Sequence, residues 1–125
     1  MSSPKEKYKS LVDGLYKATR NKEILWEMES FSGNIFTNLG RYSLYLDSGE
    51  DADGAPMELI VIKNEIGEQV ECFSDNDLTE FQTPFTEHSN YWRLMQALRS
   101  LAQRSAMGAD DALDEVLNAL RSRSS

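Results

Sequence analysis

Potential metal ligands are densest in the segment 47–56, "DSGEDADGAP", which holds four carboxylates and two glycines in ten residues. Carboxylate oxygens suit Ca²⁺, and an EF-hand loop is the natural comparison. With Gly54 aligned to the invariant glycine of that loop, Gly49 and Ile60 stand where the first and last oxygen ligands are required. We therefore predict a polar connection between two strands and no metal site. Weak calcium binding by Asp47–Asp53 is the alternative.

His88 and Cys72 are the only residues of their types. One histidine excludes an H-E-x-x-H zinc motif, and neither a G-x-S-x-G elbow nor a glycine-rich nucleotide loop occurs. We interpret His88 as part of a helix cap, and a small enzyme using His88 with Glu87 or another acid is the less favoured alternative. Cys72 is predicted to be a small buried side chain in a strand. No catalytic residue and no cofactor are predicted.

Three glutamates are candidates for acid–base chemistry. Glu27 and Glu29 alternate along one predicted strand face, and Glu58 is predicted to lie near them in the sheet. Such a group catalyses proton transfer only in a pocket that separates the pKa values of its members. We predict that these carboxylates are solvated on an outer sheet face.

Length and composition predict one globular domain spanning 1–125, with 1–3 and 122–125 frayed. The chain has 125 residues, of which 40% are hydrophobic and 27% charged, a composition typical of folded rather than disordered proteins. The longest apolar run, Leu59–Ile62, is too short to span a membrane. The first ten residues lack the apolar region of a secretory signal. A cytoplasmic, bacterial protein is the simplest interpretation.

Charge is distributed unevenly along the chain. The net charge is −8, and the segment 25–90 alone contains fourteen acidic and two basic residues. Such an acidic segment repels phosphates, so direct nucleic-acid binding is not expected. It predicts either a solvated acidic face that maintains solubility or an acidic surface that attracts a basic partner.

Helical periodicity occurs at both ends of the chain. Near the N-terminus, apolar residues recur at Tyr8, Leu11, Val12, Leu15 and Tyr16, after Ser3 and Pro4, which suit a helix start. A second helix is predicted from Tyr91, with Ser89 or Asn90 as its cap, and Gly108 separates it from a third. The third helix carries an apolar stripe, namely Ala112, Leu113, Val116, Leu117 and Leu120.

The middle of the chain alternates with the period of strands. Short runs such as "IFT", "YSLYLD", "MELIVIK" and "QVECF" are separated by turn sequences that contain Gly33, Gly40, Gly54 and Gly67. Four or five strands joined by short turns indicate an antiparallel meander. The predicted fold class is therefore α+β, with an N-terminal helix, a meander and two C-terminal helices packed on the sheet in two layers.

Partner-binding residues are predicted on the sheet and on the last helix. The strand around Ile60 is apolar on both faces, although the open face of an antiparallel sheet is normally polar. The second face is therefore either an interface or is covered by a helix. The last helix docks on its own domain, exchanges with a second copy or fills a partner groove. The predicted binding residues are Tyr45, Ile60, Ile62, Phe73, Leu113 and Leu117.

These observations predict a non-enzymatic, acidic protein–protein interaction domain that is dimeric and binds another protein or a second copy of itself. The alternative is an acidic inhibitor of a nucleic-acid-handling protein, with carboxylates that imitate phosphates. Neither membrane binding nor direct nucleic-acid binding is predicted.

Overall fold

The computed structural model describes residues 3–124 and confirms the α+β fold class. The elements, in chain order, are α1 (Pro4–Arg20), β1 (Glu27–Met28), β2 (Ile35–Leu39), β3 (Tyr42–Glu50), β4 (Pro56–Lys63), β5 (Gln69–Ser74), a 3₁₀ turn (Asp75–Leu78), α2 (Tyr91–Met107) and α3 (Ala109–Ser124). Fraying was predicted for 1–3 and 122–125. In the structure, Ser3 caps α1 and 122–124 continue α3. Residues 1, 2 and 125 lie outside the described part.

The sheet is a five-stranded antiparallel meander in which the strands lie in chain order. Two of its hairpins are closed in the same way. The Asp51 carboxylate accepts the backbone N–H groups of Asp53 and Ala55, each at 2.9 Å. The Asn64 side-chain oxygen accepts the corresponding N–H groups after β4. Each loop contains a glycine at positive φ, Gly54 at 81° and Gly67 at 84°, where a side chain would be strained.

Half of the segment 47–56 is thus strand. β3 runs to Glu50, so only 51–55 form the connection. At the β1 edge of the sheet, only Glu27 and Met28 pair with β2.

Helices α1 and α2 pack on one face of the sheet and enclose the core. Both are capped by side chains, because Ser3 accepts the N–H of Glu6 and Asn90 accepts that of Arg93. The core side chains are Val12, Leu15, Tyr16, Trp26, Ile35, Leu44, Leu46, Ile60, Phe73, Leu78, Tyr91, Leu94, Met95, Leu98 and Ala102. The connector after β5 contacts this core through Phe81 and Phe85.

Helix α3 does not follow the prediction that both C-terminal helices cover the sheet. It begins after Gly108, whose φ of 65° ends α2, and its residues from Asp111 to Arg123 are exposed. The physical reason is that α1 and α2 already cover the core face, so no apolar surface is left there for α3. Among the described residues, no helix has the length and apolar character needed to cross a membrane.

Candidate interaction surface

The strand register decides which side chains share a face of the sheet. Tyr45 lies opposite Phe36 on β2 and Val61 on β4, so these three point to the same side. Ile60 lies opposite Leu46 and Phe73, on the other side. The predicted grouping of Tyr45 with Ile60, Ile62 and Phe73 is therefore wrong.

Burial shows which of the two faces is the core. Ile60 is 0% exposed and Phe73 is 2% exposed, and Ile62 is partly buried against the same cluster. Of the two alternatives for this face, the structure has the one in which helices cover it, because α1 and α2 pack over Ile60 and Phe73. Of the four predicted sheet residues, only Tyr45 lies on the open face.

The open side carries a set of half-buried side chains that we call the sheet face, namely Phe36, Tyr45, Leu59, Val61 and Lys63. The Phe36 and Tyr45 rings stack with centroids 5.3 Å apart. The Lys63 ammonium lies 4.4 Å from the centre of the Tyr45 ring, a cation–π geometry. Burial raises the pKa of Tyr45, and the neighbouring Glu29 carboxylate raises it further. The sheet face therefore has an apolar, aromatic centre, and its Tyr45 ring is already in contact with the Lys63 ammonium group.

Acidic side chains lie beside the sheet face, since Glu27 is opposite Phe36 and Asp47 is opposite Leu59. Cys72 is exposed on the same side, opposite Val61, so its predicted burial is wrong. Partial burial raises the pKa of the Cys72 thiol, and the Glu71, Asp77 and Asp47 carboxylates raise it further. The thiol is thus held in its unreactive protonated form.

A second apolar surface lies on α3. We call it the helix stripe, formed by Leu113, Val116, Leu117 and Leu120. Their exposed fractions are 54%, 57%, 46% and 58%. Docking of α3 on its own domain was the first expectation, and these exposures show that it does not occur along the stripe. The predicted binding residues Leu113 and Leu117 are thus both accessible.

The N-terminus of α3 is held to the rest of the domain by Asp110. Its carboxylate lies 3.1 Å from Lys22 Nζ and accepts a hydrogen bond from Arg104 at 3.2 Å. These two partners hold the pKa of Asp110 below its ordinary value. Lys22, Arg104 and Asp110 line a cavity of about 210 Å³ where α3 meets the end of α1.

We expect acid to weaken this attachment of α3. A carboxyl group whose pKa is lowered by folding stabilises the folded state above its unfolded pKa, and this contribution is lost as pH falls through the folded pKa. In a carbon-13 NMR titration, the Asp110 carboxyl should have a midpoint below 3.8, its ordinary value. The variants Lys22→Ala and Arg104→Ala should move the midpoint upward. A midpoint at or above 3.8 in the unmodified protein would contradict the contact.

The three candidate glutamates are not together. Glu27 is exposed, whereas Glu58 is 4% exposed and lies on the core face. Its carboxylate accepts two hydrogen bonds from Arg99 of α2, at 2.6 and 3.2 Å. The predicted solvation of Glu58 is wrong, because α2 covers the position and supplies its counter-charge. Nothing in the local sequence pairs Glu58 with Arg99, forty-one residues later.

His88 fastens the connector to α1. Its Nε2 lies 2.9 Å from the Tyr16 hydroxyl, and the two rings meet edge to face at 5.2 Å. The adjacent Glu87 accepts a hydrogen bond from Arg20 at 3.2 Å. These contacts link the end of α1 to the segment just before α2. The role of His88 that the structure shows is therefore a tertiary contact with Tyr16.

Within residues 3–124, no group of three or more His, Cys, Asp or Glu side chains is arranged to hold a metal ion. No family model matches the chain, and no match was found among curated proteins or solved structures.

Proposed function

We propose that this chain is a non-enzymatic protein–protein interaction domain that forms a homodimer through α3 and presents its sheet face to a second protein. The observation that carries the proposal is the helix stripe, an apolar surface on a helix that does not pack on its own sheet. The lone Cys72 fits a reducing, cytoplasmic setting.

The helix stripe supports dimer formation on energetic grounds. A helix of this length is marginal in water without tertiary contacts, and α3 is attached to the domain mainly at its N-terminal end. Covering half-exposed leucine and valine side chains with a second apolar surface stabilises them by about 25 cal/mol for each Å² removed from water. A contiguous apolar surface of this kind marks interaction sites in soluble proteins.

The sheet face supports a second binding role. The open face of an antiparallel sheet is normally polar, yet this one has Phe36, Tyr45 and Val61 in one row. An apolar, aromatic centre with a polar rim is the usual anatomy of a protein interface. Because carboxylates border the face, the matching partner carries basic side chains around an apolar contact. The phosphate-imitating inhibitor would use the same acidic border.

Lysine at Leu117 should abolish the dimer and leave the domain folded. Leu117 is 46% exposed on the helix stripe, so the substitution places a charge in the proposed interface without entering the core. Asn118→Lys is the matched control, since it adds the same charge to the next, polar position. Light scattering coupled to size-exclusion chromatography measures the mass, and circular dichroism verifies the helix content.

The two variants separate the possible results. A dimer in the unmodified protein and in Asn118→Lys, with a monomer in Leu117→Lys, supports the proposal. A dimer that survives Leu117→Lys would show that α3 is not the interface. A monomeric unmodified protein at all concentrations would remove the homodimer from the proposed function.

A further inference from the structure

We infer that α3 pairs with α3 of a second copy in antiparallel orientation, held in register by two symmetry-related ion pairs between Asp114 and Arg121. The inference rests on the proposed function, because it names the partner and the geometry of the dimer. It follows from the positions of charged and apolar side chains around an exposed helix.

The helix stripe has the spacing of a helix-pairing surface. Leu113, Val116 and Leu117 are separated by three and one positions, and Leu120 continues the row one turn later. Residues three and four apart lie on one side of a helix, and such rows interdigitate when two helices pack lengthwise. With a two-fold axis near Leu117, Leu113 of one copy lies toward the Leu120 end of the other.

The charges beside the helix stripe distinguish the two orientations. Asp114 follows Leu113 and Arg121 follows Leu120, so both lie on the same flank of the stripe, two turns apart. In an antiparallel pair, equivalent flanks meet, and Asp114 of each copy lies beside Arg121 of the other. In a parallel pair, this flank meets the opposite one, which carries Ala112, Ala119 and Arg123, and neither Asp114 nor Arg121 gains an oppositely charged partner. Charge complementarity therefore favours the antiparallel pair.

The helix dipole does not account for all of these charges. Asp110 and Asp111 lie in the first turn of α3, and Arg121 and Arg123 lie in the last, where they favour the dipole of their own helix. Asp114 lies beyond the first turn, where the effect of the dipole has largely fallen off. The proposed ion pair with Arg121 of the second copy explains why Asp114 lies on the flank beside the stripe. A two-fold axis also makes every such contact occur twice.

Charge reversal tests the orientation. The variants Asp114→Arg and Arg121→Asp each place like charges together twice in the antiparallel dimer, so each should raise the dissociation constant about tenfold. The double variant restores opposite charges and should return the constant close to its original value. Glu115→Arg is the control, because it makes the same charge change on the outer side of α3. All three positions that are changed are exposed, so folding should be retained.

Sedimentation equilibrium across a range of protein concentrations measures these constants. An equal mixture of the two single variants should form heterodimers more tightly than either forms homodimers, since both mixed contacts join opposite charges. If Leu117→Lys abolishes the dimer but the single reversals match Glu115→Arg, the antiparallel ion pairs are excluded and the homodimer stands. If the unmodified protein is a monomer, or if Leu117→Lys remains dimeric, both the inference and the α3 interface are excluded.

Discussion

Replacing Ile60 by lysine is expected to unfold the domain, whereas lysine at the next position, Val61, leaves it folded. Ile60 is 0% exposed and lies between Leu46 and Phe73 in the middle of the core face. A lysine there removes an apolar side chain and buries an ammonium group, which we expect to cost at least about 4 kcal/mol. That loss is comparable to the whole stability of a small domain, about 5 kcal/mol at the lower end.

Val61 is the matched control because it belongs to the same strand and points to the sheet face. A lysine at this half-buried position can extend its ammonium group into water, so we expect a loss of about 1 kcal/mol or less. Urea titration followed by circular dichroism measures both variants. A folded Ile60→Lys together with an unfolded Val61→Lys would reverse the assignment of the two faces. If Val61→Lys is folded, it also provides a reagent for testing partner binding to the sheet face.

Removing one member of the Glu58–Arg99 pair should produce the second largest loss. The Glu58 side chain is 5% exposed, and that of Arg99 is 34% exposed. Arg99→Ala leaves a buried carboxylate without its counter-charge, and we expect a loss of about 3 kcal/mol in the free energy of unfolding. Glu58→Ala should cost less, about 2 kcal/mol, because Arg99 can be rehydrated at the edge of the core.

The double variant Glu58→Leu with Arg99→Met separates the ion pair from the packing around it. An apolar pair of similar size needs no counter-charge, so the free energy of unfolding of the double variant should exceed that of Arg99→Ala. Glu27→Ala, at an exposed glutamate of the same sheet, is the control and should have little effect. If Arg99→Ala is as stable as the Glu27 control, the buried pair contributes nothing measurable to folding.

Local sequence signals determined most of the secondary structure. The Ser3 cap, the glycine of each hairpin and the αL glycine after α2 act within a few residues of their own positions. The apolar spacing of α1 and α2 is likewise local, since it depends only on the helix period. For these reasons, the order of helix, meander and two helices was predictable without knowledge of any long-range contact.

The surface was less predictable, because it depends on contacts between distant segments. The pattern of β4 shows that Ile60 and Val61 face opposite ways, but both are apolar, and the pattern alone does not say which faces the core. Whether Ile60 or Val61 shares a face with Tyr45 depends on the register between β3 and β4. That register is set by contacts that exist only in the folded sheet. Leu113 and Leu117 were predictable as residues of one stripe, because a stripe is a property of one helix, and the structure shows that both are exposed.

The sequence by itself thus determined the α+β class, the caps and turns, and the amphipathic character of α3, since each depends on neighbouring residues. The tertiary structure alone decided that Glu58 is buried beside Arg99, that Ile60 and Phe73 belong to the core, and that the apolar stripe of α3 is exposed. The physical reason is competition for one surface. The sheet has a single core face, α1 and α2 cover it, and the apolar side chains of the helix stripe and the sheet face remain outside that core.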